Sequence, residues 1–245
     1  MGKLGYKNIL IDFDDTIVDF YDAEEWAFYY MANVFNHKAT KDDFLTFKKI
    51  NHQHWEAFQQ NKLTKSEVLS ERFVNYFKHH QMEVDGHRAD VLFRNGLAEA
   101  KVKYFDQTLE TIVELSKRHN LYIVTNGVTE TQKRRLNQTP LHKYIKKIFI
   151  SEETGYQKPN PEFFNYVFND IGEDERQHSI IVGDSLTSDI LGGINAGIAT
   201  CWFNFRGFDH NPGIIPDYEI NSWKQLVEYY YLMVSTIRHH VPLYF

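Results

Sequence analysis

Short apolar runs punctuate the chain, separated by stretches whose hydrophobic positions recur every three to four residues. The first run, Asn8-Ile9-Leu10-Ile11-Asp12-Phe13, is apolar until it meets an acid, and similar runs fall at 121–125, 147–150, 179–183 and 199–203. Apolar character without polar alternation predicts strands of a parallel sheet covered on both faces. Leu109, Ile112 and Val113 after Asp106 predict a helix, as do Phe164, Val167, Phe168 and Ile171 after the start signal Asn160-Pro161. Strand and helix in alternation predict an α/β fold with a doubly wound parallel sheet.

Residues 20–92 break that alternation, being rich in aromatic and charged residues at helical spacing. They predict a helical insertion after the first strand, dividing the chain into a core of 1–18 and 93–245 and an inserted α-helical domain of 19–92. Within the insertion Trp26, Tyr29, Tyr30 and Val34 share one helix face, and Val68, Phe73, Tyr76 and Phe77 share another more loosely. Such aromatic stripes are expected in the core. Phe20, Tyr21, Trp26 and Trp55 are also candidates to stack on a ligand ring, with core packing the favoured reading of each. Residues 223–237 predict a closing helix, followed by a mixed tail at 238–245 that packs on the body or on a neighbour.

Composition narrows the picture. In 245 residues, 42% hydrophobic, 24% charged and 16% aromatic, there is enough apolar material for a sizeable core, which excludes a disordered tail or a disulfide miniprotein. With 27 Lys and Arg against 33 Asp and Glu the net charge is −6, so no general nucleic-acid footprint is expected. The single cysteine, Cys201, cannot form an intrachain disulfide and is expected to be buried in a protein of a reducing compartment. Met1-Gly2-Lys3-Leu4-Gly5-Tyr6 has no apolar signal core, and no run approaches the roughly 20 residues of a membrane helix. The expectation is a cytoplasmic protein without a membrane partner.

Candidate chemistry gathers at the strand ends. Asp12-Phe13-Asp14-Asp15-Thr16 follows the first strand, and in an extended segment Asp12 and Asp14 point to one side while Phe13 turns away. Carboxylates so close repel unless they share a proton or a cation. Gly183-Asp184-Ser185-Leu186-Thr187-Ser188-Asp189 adds acids at a second strand end. Oxygen donors without cysteine or well-spaced histidine suit Mg²⁺ rather than zinc. Asp189 is read as a metal ligand, a helix cap or a partner that orients Lys158. Thr125-Asn126-Gly127 ends another strand where a helix opens, so a hydroxyl and backbone N–H groups face an anion there. In Gly155-Tyr156-Gln157-Lys158-Pro159-Asn160-Pro161 a lysine precedes a helix beside two prolines, placed to neutralise carboxylates and phosphate.

In content and order, these four stretches resemble the four motifs of the haloacid dehalogenase (HAD) superfamily, over essentially the whole chain. The resemblance implies a Rossmann-like core and makes 19–92 a C1-type helical cap that closes over substrate. Ile150-Ser151-Glu152-Glu153-Thr154-Gly155 running into Gln157-Lys158-Pro159-Asn160, the stretch 183–197 and Ala199-Thr200-Cys201-Trp202-Phe203-Asn204 resemble the YjjG/YfnB-like pyrimidine 5′-nucleotidase branch. What this implies is a Mg²⁺-dependent phosphomonoester hydrolase, with Mn²⁺ the alternative cation. Asp12 is then the nucleophile that forms an aspartyl-phosphate, and Asp14 is the general acid and base. Thr125, the backbone at Asn126 and Gly127, and Lys158 bind the phosphoryl group; Asp12, Asp184 and the backbone carbonyl of Asp14 hold the metal. Thr16 would orient Asp14 or its turn, and Asp15 would face outward.

The partner expected is a small phosphorylated metabolite, a pyrimidine nucleoside monophosphate first, with sugar-phosphate hydrolysis or a β-phosphoglucomutase-like phosphomutase as alternatives. A silent phosphate-binding regulator has little need for both a nucleophile and an acid/base partner. A dehalogenase would need neither Asp14 as acid/base nor the metal cluster. His52-Gln53-His54, His79-His80 and His239-His240 read as surface or satisfied core groups, and the absence of P-loop and dinucleotide glycine motifs argues against those enzyme classes.

Overall fold

The computed structural model describes residues 6–228. The predicted closing helix is helical at 223–228; its remainder, the tail 238–245 and residues 1–5 lie outside the described residues. In chain order the elements are β1 (Asn8–Ile11), α1 (Tyr21–Val34), α2 (Lys41–Gln59), α3 (Lys65–Lys78), α4 (Gly86–Glu99), α5 (Thr108–Ser116), β2 (Asn120–Thr125), α6 (Thr129–Asn137), β3 (Ile145–Ile150), α7 (Ser151–Thr154), α8 (Pro161–Ile171), β4 (Ser179–Gly183), α9 (Leu191–Ala196), β5 (Ala199–Phe203) and β6 (Tyr218–Ile220). They form two compact units, one comprising the chain up to Val18, Tyr104–Gly127 and the chain from Pro140 on, the other Asp19–Lys103 with Val128–Thr139. Helix α4 runs unbroken across residue 92, where the sequence suggested a boundary, and belongs wholly to the second unit together with α6.

The first unit is a six-stranded sheet in the order β3-β2-β1-β4-β5-β6, with every pair parallel. All five apolar runs became strands; β6, only Tyr218-Glu219-Ile220, was too short to register as one. Strands β1 and β4 are buried along their full length, as continuous apolar runs require. On the sheet, Leu10, Val124 and Ile181 share a core with Phe163, Phe164, Val167 and Phe168 of α8. Each of those large side chains contributes about 1.5–3 kcal/mol through burial. The order reverses direction at β1, and Ile11 lies level with Ile123 on β2 and Val182 on β4. The residues leaving these three carboxyl ends therefore meet in one crevice, where open α/β sheets bind ligands.

The second unit is helical. Thr40 and Thr64 start α2 and α3 with reciprocal capping boxes to Asp43 and Glu67, satisfying backbone N–H groups that a helix start leaves unpaired. Phe28, Phe44, Phe47, Phe73, Tyr76 and Phe93 form its aromatic core, and Val68 and Phe77 are buried as expected. Of the stripe expected on α1, only Tyr29 packs against this core; Trp26 is 57% exposed, and Tyr30 and Val34 are exposed as well. Helix α1 instead buries Ala23, Ala27, Phe28, Met31 and Ala32. Small residues win that face because α4 crosses very close, so close that a Cβ on Gly96 would lie 2.8 Å from Ala27 Cα. Beneath the aromatic layer, buried Arg72 donates to Asp90 at 2.7 Å and to Asn51 at 2.7 Å, while Asn51 donates to Glu24 at 2.6 Å.

Candidate active site

The site is built on the carboxyl ends of β1, β2 and β4, and Lys158 joins them. Its Nζ donates to Asp12 Oδ1 at 2.6 Å, to Asp189 Oδ1 at 2.7 Å and to the Val124 carbonyl at 2.8 Å, with only 1% of the side chain exposed. The lysine backbone is fixed too. Asn126 accepts from Lys158 N–H at 2.9 Å and donates to the Lys158 carbonyl at 2.8 Å. That reciprocal pair occupies both ends of the Asn126 amide, so what this residue can offer an anion is its backbone rather than its side chain. Gly127 N–H donates to Thr125 Oγ1 at 3.1 Å, a bond that an entering phosphoryl oxygen would have to replace.

Of the three readings of Asp189, the bonds favour the positioning of Lys158. Oδ1 accepts from the ammonium, and Oδ2 accepts from Ser185 N–H at 3.1 Å. It reaches that position by passing over Gly183, where an added Cβ would lie 2.2 Å from Asp189 Cγ. The glycine at the end of β4 is thus needed for close approach.

Asp184 is tied to the first motif by Thr16, whose hydroxyl accepts from Asp184 N–H at 3.0 Å and lies 3.4 Å from Oδ1. Of the two expectations for Thr16, orienting Asp14 or its turn, these bonds favour the turn, because the hydroxyl anchors it to the next strand end. Asp15 does not simply face outward. It takes a left-handed conformation at φ 58° and pairs with Arg206 at 2.9 Å. Two indoles pin the same loops, Trp202 donating to the Asp184 carbonyl at 2.7 Å and Trp223 to the Thr16 carbonyl at 2.9 Å. Phe13 is buried, as its alternation predicted.

Asp12, Asp184 and Asp189 offer carboxylate oxygens within 4.8 Å of one another; the Asp14 carboxylate is not in that group. One ammonium faces three acids, and the electrostatics register the imbalance. Burial pushes the Asp12 carboxyl up to about 8, helped by Asp189 and Asp14 and opposed by Lys158. Burial also raises Asp184 well above the carboxylate range, with Asp15, Asp12 and Asp189 adding to it. Lys158 stays charged, because Asp12 and Asp189 outweigh the burial that disfavours its ammonium. A hard divalent cation fits this donor set, since it would relieve the repulsion and the donors are all oxygen. Cys201 is buried in β5, its thiol pushed up to about 12 by burial, so it is no nucleophile.

The sequence did not point to Asn126 as the clamp on Lys158, to Gly183, or to the pins Trp202, Trp223 and Arg206. Only Gly183 carried a signal, a glycine ending a buried strand where another group approaches.

The model of the haloacid dehalogenase-like hydrolase family matches residues 9–203. The chain is 42% identical over 221 residues to the HAD-hydrolase YfnB of Bacillus subtilis, covering 90% of this chain and 94% of that protein. The magnesium-bound crystal structure of YfnB superposes with a TM-score of 0.88 at 40% identity, covering 93% of this chain and 99% of that one. The pyrimidine 5′-nucleotidase PynA of Streptococcus pneumoniae is 32% identical over 228 residues, 91% of this chain and 94% of that one. The pyrimidine 5′-nucleotidase YjjG of Escherichia coli is 30% identical over 215 residues, 84% of this chain and 94% of that one. Among the described residues no helix is long and apolar enough to cross a membrane.

Proposed function

From the premise that this chain belongs to the haloacid dehalogenase-like hydrolases, we propose that it is a Mg²⁺-dependent phosphatase acting through an aspartyl-phosphate on Asp12, with pyrimidine nucleoside 5′-monophosphates as substrates. The observation that carries the chemistry is the buried Lys158 held between Asp12 and Asp189 beside Asp184. The nucleotide preference is supported by the pyrimidine 5′-nucleotidases PynA and YjjG, to which the chain is similar along most of its length.

Asp12 and Asp184, with the backbone carbonyl of Asp14, are the residues to hold Mg²⁺; Mn²⁺ meets the same oxygen donors. When bound, the ion neutralises charge on the carboxylates and on the transferring phosphoryl group. Lys158 fixes Oδ1 of Asp12 and so sets the orientation of the nucleophilic carboxylate. The carboxylate forms a bond to phosphorus as the ester P–O bond breaks, and Asp14 delivers a proton to the departing alcohol oxygen. Asp14 then takes a proton from water, whose oxygen attacks phosphorus and frees Asp12 with release of phosphate. Thr125 Oγ1 and the backbone N–H groups at Asn126 and Gly127 receive phosphoryl oxygens, and the Lys158 ammonium offsets the charge that accumulates at the nucleophile. A lone buried Cys201 suits a reducing compartment, and we assign the enzyme to the cytoplasm, acting on a small phosphorylated metabolite.

Phosphate release from a panel of nucleoside monophosphates and sugar phosphates, with Mg²⁺ or with EDTA, tests the proposal, Asp12→Asn serving as the blank. Metal-dependent release led by pyrimidine monophosphates is expected. Release led by sugar phosphates would overturn the substrate assignment, and isomerised sugar phosphate without free phosphate would replace the hydrolase with a mutase.

A further inference from the structure

We propose that the helical unit carries a second metal site, for a divalent transition metal of the zinc class, formed by His37, Asp43 and His80. One ligand atom from each lies within 4.8 Å of the others. His37 follows α1, Asp43 sits in the first turn of α2 and His80 follows α3, so the cluster joins the ends of three helices. His80 Nε2 is 3.3 Å from Asp43 Oδ1, and the two imidazole rings lie 4.4 Å apart.

Two of the ligands are already aimed by a neighbour. Asp43 Oδ2 accepts from Thr40 N–H at 2.7 Å and from the Thr40 hydroxyl at 2.8 Å, which turns Oδ1 toward the histidines. The Tyr76 oxygen lies 2.8 Å from Nε2 of His37, and with Nε2–H donating to it the ring would ligate through Nδ1. Outer partners of this kind fix ring orientation and raise metal affinity. Two imidazoles and a carboxylate suit zinc, whereas Mg²⁺ and Ca²⁺ seek oxygen alone. Metal–ligand bonds near 2.1 Å put tetrahedral ligand atoms about 3.4 Å apart, so small side-chain rotations would close the cluster. All three residues are half-buried, so an ion would enter from solvent and water would complete its coordination. His79-His80 carries no metal signal in the sequence, because the partners of His80 stand 37 and 43 residues away along the chain. The site requires neither Asp12 nor Asp184 and is independent of the phosphatase assignment.

The test is a Co²⁺ titration of the chelator-stripped full chain in excess Mg²⁺, read by visible d–d absorption. One equivalent of Co²⁺ should give a four-coordinate band that Zn²⁺ displaces and Asp12→Asn retains. His80→Ala and His37→Gln should each weaken it at least about tenfold. Zn²⁺ should raise the melting temperature of the parent and leave that of His80→Ala unmoved. No band in the parent, or the same titration in parent, His80→Ala and His37→Gln, would overturn the proposal and leave an ordinary imidazole–carboxylate pair.

Discussion

Gly183→Ala adds one methyl group at the point where β4 passes beneath Asp189. The new Cβ would lie 2.2 Å from Asp189 Cγ and 2.3 Å from Oδ2, where ordinary contact begins at 3.4 Å, so the carboxylate must retreat by about 1.2 Å. Nothing flexible can absorb this, because Asp189 is 1% exposed and both its oxygens are bonded. Its 2.7 Å bond to Lys158 would stretch beyond hydrogen-bonding range, leaving the ammonium to Asp12 and the Val124 carbonyl. Overpacking and a weakened buried ion pair together should cost about 2–4 kcal/mol, read from urea melts. A reactive group displaced by about 1 Å loses on the order of 10²-fold in rate, so kcat should fall by roughly that factor with KM less affected. If the effect runs through the Asp189 charge, Gly183→Ala should add little to the rate loss of Asp189→Asn. Gly183→Ala enzyme with unchanged urea midpoint and kcat within about twofold of the parent, or rate losses that multiply fully in the double variant, would refute the reasoning.

Asn126→Ala should strip both bonds from the Lys158 backbone; two unpaired buried groups cost about 2–4 kcal/mol in urea melts. In the metal-free chain, burial holds a proton on folded Asp12 up to about 8, whereas the unfolded chain loses it near the ordinary carboxylate value. That contribution to stability is full below the unfolded value and is lost as pH rises through the folded one. Asp12→Asn in EDTA should therefore lose less stability than the parent between about pH 5 and 8, and an equal loss in both would refute the assignment. In the helical unit, Asp90→Ala leaves buried Arg72 without its carboxylate and should cost about 3–5 kcal/mol. Lys103→Ala, which removes an exposed lysine paired with Asp22 and with the partly buried Asp19, should cost under about 1 kcal/mol in the same melts.

The sheet was readable because burying a strand on both faces imposes a continuous apolar run, and five such runs stood out. Strand β6 escaped because three residues carry no period. Helix α1 departs from its expected face for a related reason. Periodicity identifies a face but not its neighbour, and the close crossing of α4 gave the buried face to alanines rather than to Trp26 and Tyr30. At the site, the acids and Lys158 were legible because few other roles gather such residues at strand ends. The supports were not. Asn126 looks like any strand-end amide until Lys158 arrives from 32 residues away, and nothing in the sequence marks Trp202 and Trp223 as donors to the loop carbonyls they reach.

Trapping the covalent intermediate tests the central claim most directly. An aryl phosphate needs no proton on its leaving group, so Asp14→Asn should still transfer its phosphoryl group yet fail to activate the water that removes it. Acid quench and peptide mass spectrometry should then find one phosphoryl group on Asp12, labile to hydroxylamine and absent from Asp12→Asn. A peptide containing Asp12 that stays unmodified while phosphate is released, or a label on any other residue, would contradict the account.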